Sequence, residues 1–565
     1  LVLFSSGLTK RCGEQAIADA NVFEIDKEVT SMKETYDVVI IGSGFGGAVT
    51  ACRLAQAGRS VCILERGRRW GKQDFPRTIG QVSKAFWNDK NFGLLDYRIF
   101  KKIDVIQASG VGGGSLVYFN VHERTRKEIF EQPEWPDAIK RETLDPFYDK
   151  AKEMLEAKPL TPPVNYDLPG RTKALFKGAA GIGRNPELMD IAVYTGPDRL
   201  NPHSGLPQEA CIYCGNCMLG CQVHAKNTLD LNYIPVAEQN GAEVFPLHHV
   251  VKIEPLNDGG YRVYFENFQS GNKDECIKGS VCGRKVIVSA GSLGSTELLL
   301  RCRDKEKTLP DISRMLGKRF SGNGDFLLAG TFDVDEEVDP GSGPSITAGF
   351  DCSTEKNKIF LQDLGFPDPF LWYLESALPL PGRWENIKMF LKIYVGRILG
   401  LSKASAYSVG MDKLFSGGIT TKFLPYLGMG TDAADGVMNL SGGNINIDWD
   451  HARSKEMFRE MEDELKKISE ELGGDYKTSL LWAFPIKKLL TAHPLGGCVM
   501  GRDASSGVVN EFGEVWNYPD LYVADASIIP TALAINPSAT IAALSERIAD
   551  HIVNGDDSYG ARIAA

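Results

Sequence analysis

The hydrophobic positions of this chain gather into a few runs whose spacing predicts their structure. Tyr36-Asp37-Val38-Val39-Ile40-Ile41 is almost continuously apolar and β-branched, which predicts a strand buried on both faces. The turn Gly42-Ser43-Gly44-Phe45-Gly46-Gly47 follows, then a helix from Ala48 to Ala57 closed by Gly58, then a second strand from Ser60 to Glu65. This is a βαβ unit, the seed of a parallel sheet. Parallel-sheet character returns near Ala242, from Lys285 to Gly291 and from Leu521 to Asp525. From about 125 to 225 the pattern breaks up among prolines and charges. Between Phe326 and Phe484 a separate module is predicted, with strand-like segments such as Ile445 to Trp449 and a charged helix from Arg453 to Leu472. No internal repeat or low-complexity tract is present.

The fold class expected is therefore α/β: a Rossmann-type domain, discontinuous in sequence, with a second domain inserted into it. The predicted boundaries are 1–31, a leader or upstream extension; 32–125, the first part of the Rossmann-type domain; 126–224, a connecting segment; 225–325, its second part; 326–484, the inserted domain; and 485–565, its third part.

Composition narrows the class. At 565 residues the chain is too long for a single ordinary core, while 43% hydrophobic and 24% charged residues are those of a soluble globular protein. A net charge of -10 argues against general affinity for nucleic acid or anionic membranes. No run of about 18 apolar residues is present to span a bilayer, and Leu1 to Phe4 is too short for the core of a signal peptide. A cytoplasmic protein is expected.

The first glycine turn carries chemistry. In Gly42-x-Gly44-x-x-Gly47, the first glycine permits the tight turn and the second admits a pyrophosphate close to the backbone. The third lets helix pack on strand, and the helix N-terminus offers N–H donors. Glu65 ends the second strand about 20 residues on, where a carboxylate accepts from a ribose diol. Either FAD or NAD satisfies this motif. A second run, Gly110-Val111-Gly112-Gly113-Gly114-Ser115, reads either as a flexible loop or as backbone that passes close to a flat ligand. Two such cradles in one chain fit a cofactor as long as FAD.

Near the C-terminus, Thr491-Ala492-His493-Pro494-Leu495-Gly496-Gly497 sets an imidazole between a predicted apolar helix and a glycine turn, and Ile535-Asn536-Pro537 sets an amide before a proline. Oxidising an alcohol requires a group to take the hydroxyl proton as hydride leaves carbon; histidine suits that, and asparagine holds the oxygen without ionising. Singly, the two also read as a core histidine and a turn residue.

Of the 12 cysteines, four form a cluster, Cys211-x-x-Cys214-x-x-Cys217-x-x-x-Cys221, with the spacing that wraps thiolates around an iron–sulfur cube. Gln222 stands where a proline usually follows the last ligand. Zinc, or uncoordinated thiols, are the alternatives. Metallated by iron–sulfur, the cluster would pass electrons singly from a reduced flavin to an external acceptor. The segment from Asn386 to Leu399 is apolar with three interspersed cations. It reads as a core helix with snorkelling basic residues, or as a lid that makes peripheral membrane contact and admits a lipophilic alcohol. Trp372 and Trp384 nearby favour an apolar channel either way.

The order of GSGFGG with Glu65, GVGGGS, VIVSAGSLGSTELL (Val286 to Leu299), Ala225 to Asp230, Leu316 to Phe320, and HPLGGC…LYVADASIIP…INPSATI from His493 resembles the glucose–methanol–choline (GMC) oxidoreductases. The cholesterol-oxidase-like branch is the most similar, from about Asp37 to His551. The resemblance implies an FAD-binding domain and a substrate domain on a mixed or antiparallel sheet. It implies that His493 and Asn536 face the flavin and position a hydrophobic, sterol-like or other secondary alcohol. It further implies that Gly42, Gly44, Phe45, Gly47, Glu65, Gly112, Gly113, Gly114, Ser115, Asn120, Val250 and Asp525 serve the cofactor. Sterol oxidases of this branch carry a glutamate that shuttles a proton for double-bond isomerisation; Gln362 stands in its place, with Asp363 beside it as the substitute shuttle. The resemblance does not supply the cysteine cluster. Two rival readings are an oxygen-using cholesterol oxidase that releases peroxide and a non-enzymatic flavin and iron–sulfur electron carrier.

Overall fold

The computed structural model describes residues 32–563, apart from 79–80, 83–84, 89–90, 269–270, 272–274, 480, 483–486 and the stretch 368–420, of which only Lys388, Lys392 and Val395 are described. The leader reading of 1–31, Trp372, Trp384 and nearly all of the segment 386–399 thus lie outside the described residues.

The central sheet is ordered Glu243–Pro246, Val61–Glu65, Thr35–Ile41, Ile277–Val288, Tyr261–Asn267, His248–Pro255, with Leu521–Val523 also pairing along Ile277–Val288. The first four and Leu521–Val523 run parallel, and the last two are antiparallel. Val38, Val39, Ile40 and Ile41 are all buried, as their unbroken apolar run requires. The helix Phe45–Gln56 begins three residues before the predicted start, at the glycine turn itself, and buries nearly its whole length against the sheet and the C-terminal helix Ser538–Ile563. The two helices are clamped where Arg53 Nε and Nη2 reach Glu546 Oε2 and Oε1, both at 2.8 Å, and Tyr233 donates to the same carboxylate at 2.8 Å. The sheet therefore draws on three segments far apart in sequence, an α/β Rossmann-type layer.

The second large sheet is antiparallel throughout, in the order Asp475–Thr478, Phe326–Phe332, Leu424–Gly430, Ile359–Asp363, Ala348–Asp351, Glu187–Leu188. The helix Lys455–Glu471 covers it with Met457, Phe458, Met461, Leu465 and Ile468, at the three- and four-residue spacing that brings side chains to one face. The stretch near 125–225 is more regular than its prolines suggest. It contains the helices Arg141–Leu155 and Gly170–Gly181, and the second of these joins the same core. The two sheets lie within one compact unit from Glu34 onward. A further difference concerns Leu489–Thr491, expected as the end of a helix. It is a strand, parallel to Ile103–Ala108. Three residues hold no helical turn by themselves, and the neighbouring strand supplies their hydrogen bonds.

Beneath the second sheet, Arg171 Nε lies 3.2 Å from Asp363 Oδ2, both side chains wholly buried. Asp363 also accepts from the backbone of Thr347 at 2.8 Å and Ala348 at 2.9 Å. Removing one partner strands a buried charge. Arg171→Met is expected to lower stability by about 3–5 kcal/mol in urea denaturation, and adding Asp363→Asn to the same chain should recover part of that loss.

Candidate active site

The parallel strands end on one cavity of about 320 Å³, bordered by Gly42 after the first strand, Glu65 at the end of the second, Ser289 to Gly291 after Ile277–Val288, and Asp525 after Leu521–Val523. Ligands of open α/β sheets bind at these carboxyl ends. Gly42 turns with φ +97°, and a Cβ there would stand 2.4 Å from the Ser289 carbonyl oxygen. Gly113, at φ +53°, brings the second glycine run against the first, where a Cβ would meet the Gly44 Cα at 2.5 Å. The two cradles are thus pressed backbone to backbone, and only glycine permits it.

Of the residues expected to serve a cofactor, Gly42, Gly44, Phe45, Glu65, Gly113, Gly114, Val250 and Asp525 line the cavity. Gly47, Gly112, Ser115 and Asn120 do not. Ser115 donates to the Gly112 carbonyl at 2.7 Å and accepts from Leu229 N at 3.0 Å, which fixes the second cradle. Val250 lies within the strand His248–Pro255. Glu65 already accepts from the hydroxyl of Ser43 at 2.7 Å and the backbone of Gly67 at 2.8 Å, so it also braces the phosphate turn. Asp525 is engaged more completely. Its two oxygens take Gly291 N and the Ser295 hydroxyl on one side, Ser527 N and hydroxyl on the other. Four donors fill the lone-pair sites of a carboxylate, so Asp525 shapes the Ser289–Gly291 turn through the protein and has no acceptor left for a ligand. Burial pushes its carboxyl up despite those bonds.

At the other end stand His493 and Asn536, with Asn536 Nδ2 3.5 Å from His493 Nε2. Segments from elsewhere in the chain hold both. Asp325 accepts from His493 Nδ1 at 2.8 Å and is itself fixed by Thr491 Oγ1 at 2.8 Å and Ala492 N at 3.0 Å. With the Nδ1 proton directed to Asp325, Nε2 presents a lone pair to the cavity. Gln362 Nε2 donates to Asn536 Oδ1 at 2.8 Å, which turns the Asn536 amide donor toward the imidazole. Asn323 ties down the loop before Asn536 by accepting from Leu533 N at 2.8 Å and donating to Ile535 O at 2.8 Å. Asp432 holds that corner through Gly324 N at 2.9 Å and Ser321 Oγ at 2.8 Å. Burial pushes the Asp432 carboxyl up to about 6.

Asp363 is no shuttle. Side chains alternate across a strand, so while Gln362 faces Asn536, Asp363 faces Arg171 on the opposite side and does not line the cavity. Sequence reasoning missed Asp325, Asn323 and Asp432, and also the ion-pair chain at the Glu65 end. There Arg66 and Arg98 flank Asp96 at 2.8 and 3.1 Å, and Arg98 reaches Glu297 at 3.0 Å. Against burial, the two guanidiniums hold Asp96 well below the usual carboxylate range. Arg66, Arg98 and Glu297 all border the cavity.

Two family models, each described as GMC oxidoreductase, match residues 36–317 and 444–545. A cholesterol oxidase of Acinetobacter baumannii is 31% identical across 92% of this chain and 94% of its own length. This chain belongs to the GMC oxidoreductases. A cholesterol oxidase of Mycobacterium tuberculosis is 29% identical over 92% of the chain and 91% of that protein. A long-chain-alcohol oxidase of Arabidopsis thaliana is 25% identical over 92% and 67%. Pyridoxine 4-oxidase from Mesorbium loti shares the fold, with a TM-score of 0.61, 16% identity and coverage of 91% of this chain and 98% of that one. Formate oxidase does so with a TM-score of 0.62, 14% identity and coverage of 93% and 98%. This GMC oxidoreductase is an FAD-dependent enzyme acting on CH–OH donors. The cavity fits the cofactor: one continuous lining includes the paired glycine cradles, Glu65, His493 and Asn536.

The four cysteines line a second, smaller cavity of about 20 Å³ together with Lys226. Burial, then the neighbouring thiols of Cys217, Cys221 and Cys214, push the Cys211 thiol up, so all four stand within electrostatic reach of one another. Among the described residues no three His, Cys, Asp or Glu side chains converge on a point that would hold one metal ion.

Two tests follow from this geometry. An Asp325→Asn side chain must turn its NH2 either to His493 Nδ1 or to Ala492 N, spoiling the tautomer or the loop. It is expected to keep flavin bound while slowing flavin reduction by alcohol about 10²-fold in stopped flow. Asp432 is protonated in the fold up to about pH 6, whereas in the unfolded chain it ionises near the ordinary aspartate value of 3.8. Its contribution is therefore complete below that value and lost as pH rises to about 6. In denaturation curves, Asp432→Asn should gain stability relative to the parent chain over that window and run parallel to it above.

Proposed function

We propose that this GMC oxidoreductase converts a hydrophobic secondary alcohol, sterol-like in bulk, to its carbonyl. The observation that carries the reading is the His493–Asn536 pair at an end of the cavity bordered by Phe119, Leu327, Phe366 and Leu490. Bound FAD supplies the hydride acceptor. The apolar side chains exclude water and grip the body of the substrate, leaving its hydroxyl to the His493–Asn536 pair. His493 Nε2 takes the hydroxyl proton, and Asp325 stabilises the imidazolium that results. Asn536 Nδ2 donates to the substrate oxygen, and Gln362 holds it in that attitude. Gln362 is an amide and transfers no proton, and Asp363 faces away, so the reading is oxidation without double-bond migration. Gly42, Gly44, Gly113, Gly114 and Glu65 would hold the dinucleotide portion of the cofactor.

For the oxidative half of the cycle the reading is that electrons leave one at a time through an iron–sulfur centre on Cys211, Cys214, Cys217 and Cys221 to an external acceptor, with oxygen a poor substitute. The spacing of the four cysteines and their shared cavity support it. Among the described residues no helix is long and apolar enough to cross a membrane.

His493→Ala is expected to retain flavin yet slow its anaerobic reduction by cholesterol or a long-chain secondary alcohol about 10²- to 10⁴-fold. An unchanged reduction rate would refute the assignment.

A further inference from the structure

The linings of the flavin cavity and the cysteine cavity meet at consecutive residues of the chain. Met218 borders the first, and its neighbour Cys217 borders the second. Two buried side chains tie the cysteine loop to the flavin side. Asn120, wholly buried at φ +73°, donates its amide to Cys217 Sγ at 3.4 Å, and its own side-chain oxygen has no partner among the described residues. Lys226, 1% exposed, extends its ammonium to three carbonyl oxygens: Cys217 at 2.7 Å, Leu116 at 2.8 Å and Tyr118 at 3.4 Å. Leu116 closes the second glycine cradle, and Tyr118 borders the flavin cavity. The Lys226 backbone N–H points to Cys221 Sγ at 3.5 Å. Besides these carbonyls, the ammonium has the Tyr118 ring 5.2 Å away and the Asp230 carboxylate in its neighbourhood; any further anion beside a buried cation stabilises it, and four thiolates around an iron–sulfur core are one.

We propose that Lys226 and Asn120 are positioning residues for a cluster on Cys211, Cys214, Cys217 and Cys221, raising its reduction potential so that it draws electrons from the flavin cavity beside it. This rests on the reading of the cysteine loop as an electron exit. A nearby positive charge and hydrogen bonds to cluster sulfurs stabilise the more negative, reduced state. Each alcohol oxidised yields two electrons and two protons. Two equivalents of a one-electron acceptor, ferricyanide in the test, each leave with one electron, and both protons pass to solvent.

The experiment uses anaerobically purified holoenzyme, assayed for iron and acid-labile sulfide and titrated potentiometrically by electron paramagnetic resonance. Lys226→Met is expected to move the cluster midpoint to a more negative potential and slow ferricyanide reduction about tenfold, whereas Lys226→Arg restores both. If Lys226→Met loses flavin through misfolding, Asn120→Asp, which sets a carboxylate beside Cys217, should shift the midpoint the same way. A cluster whose midpoint is the same in the parent and the variants overturns the positioning roles while leaving the electron exit in place. Parent protein without iron and labile sulfide overturns the cluster itself, and the alcohol chemistry of His493 stands apart from that result.

Discussion

In the proposed mechanism the chemistry depends on one hydrogen bond, from His493 Nδ1 to Asp325 at 2.8 Å. It decides which imidazole nitrogen carries the proton and which faces the cavity, and an imidazole free to flip would present an N–H where a base is needed. Much of the surrounding architecture holds that carboxylate in place. Thr491 and Ala492 bond its second oxygen, Asp432 fixes the turn before it, and Asn323 ties the same turn to the loop that delivers Asn536. The imidazole arrives after the strand Leu489–Thr491, its partner carboxylate ahead of Phe326–Phe332, and the amide ahead of the last helix. Three distant segments have to be packed correctly before the site exists.

The same logic governs the cofactor cradle. Gly42 lets its turn close on Ser289 and Gly113 lets the second run close on Gly44, while the Ser43 hydroxyl accepts from Gly112 N at 3.1 Å and donates to Glu65 at 2.7 Å. Asp525, which no ligand can reach with a free lone pair, gathers the third turn. Buried polar groups in such a network are strong only while every member is satisfied.

Much of this was legible in the chain itself. The glycine turn, its flanking strand and helix, and Glu65 lie close in sequence, so their spacing carries their geometry. The candidate pair His493 and Asn536 stood out through neighbouring glycine and proline. Asp325, Asn323 and Asp432 did not, because nothing near them in sequence marks an aspartate that will meet a histidine from another strand. Asp363 was misjudged because proximity in sequence was taken for proximity in space; one step along a strand reverses the face. The helix expected before His493 was a short apolar run claimed by a neighbouring strand, and a run so brief contains no information to separate the two.

The most direct test of the central claim is anaerobic stopped-flow mixing of the holoenzyme with an alcohol deuterated at the carbinol carbon. Hydride transfer beside His493 predicts that flavin absorbance bleaches with the substrate and that deuteration slows the bleaching several-fold. Bleaching at the same rate with both isotopologues, or none with either, would contradict it.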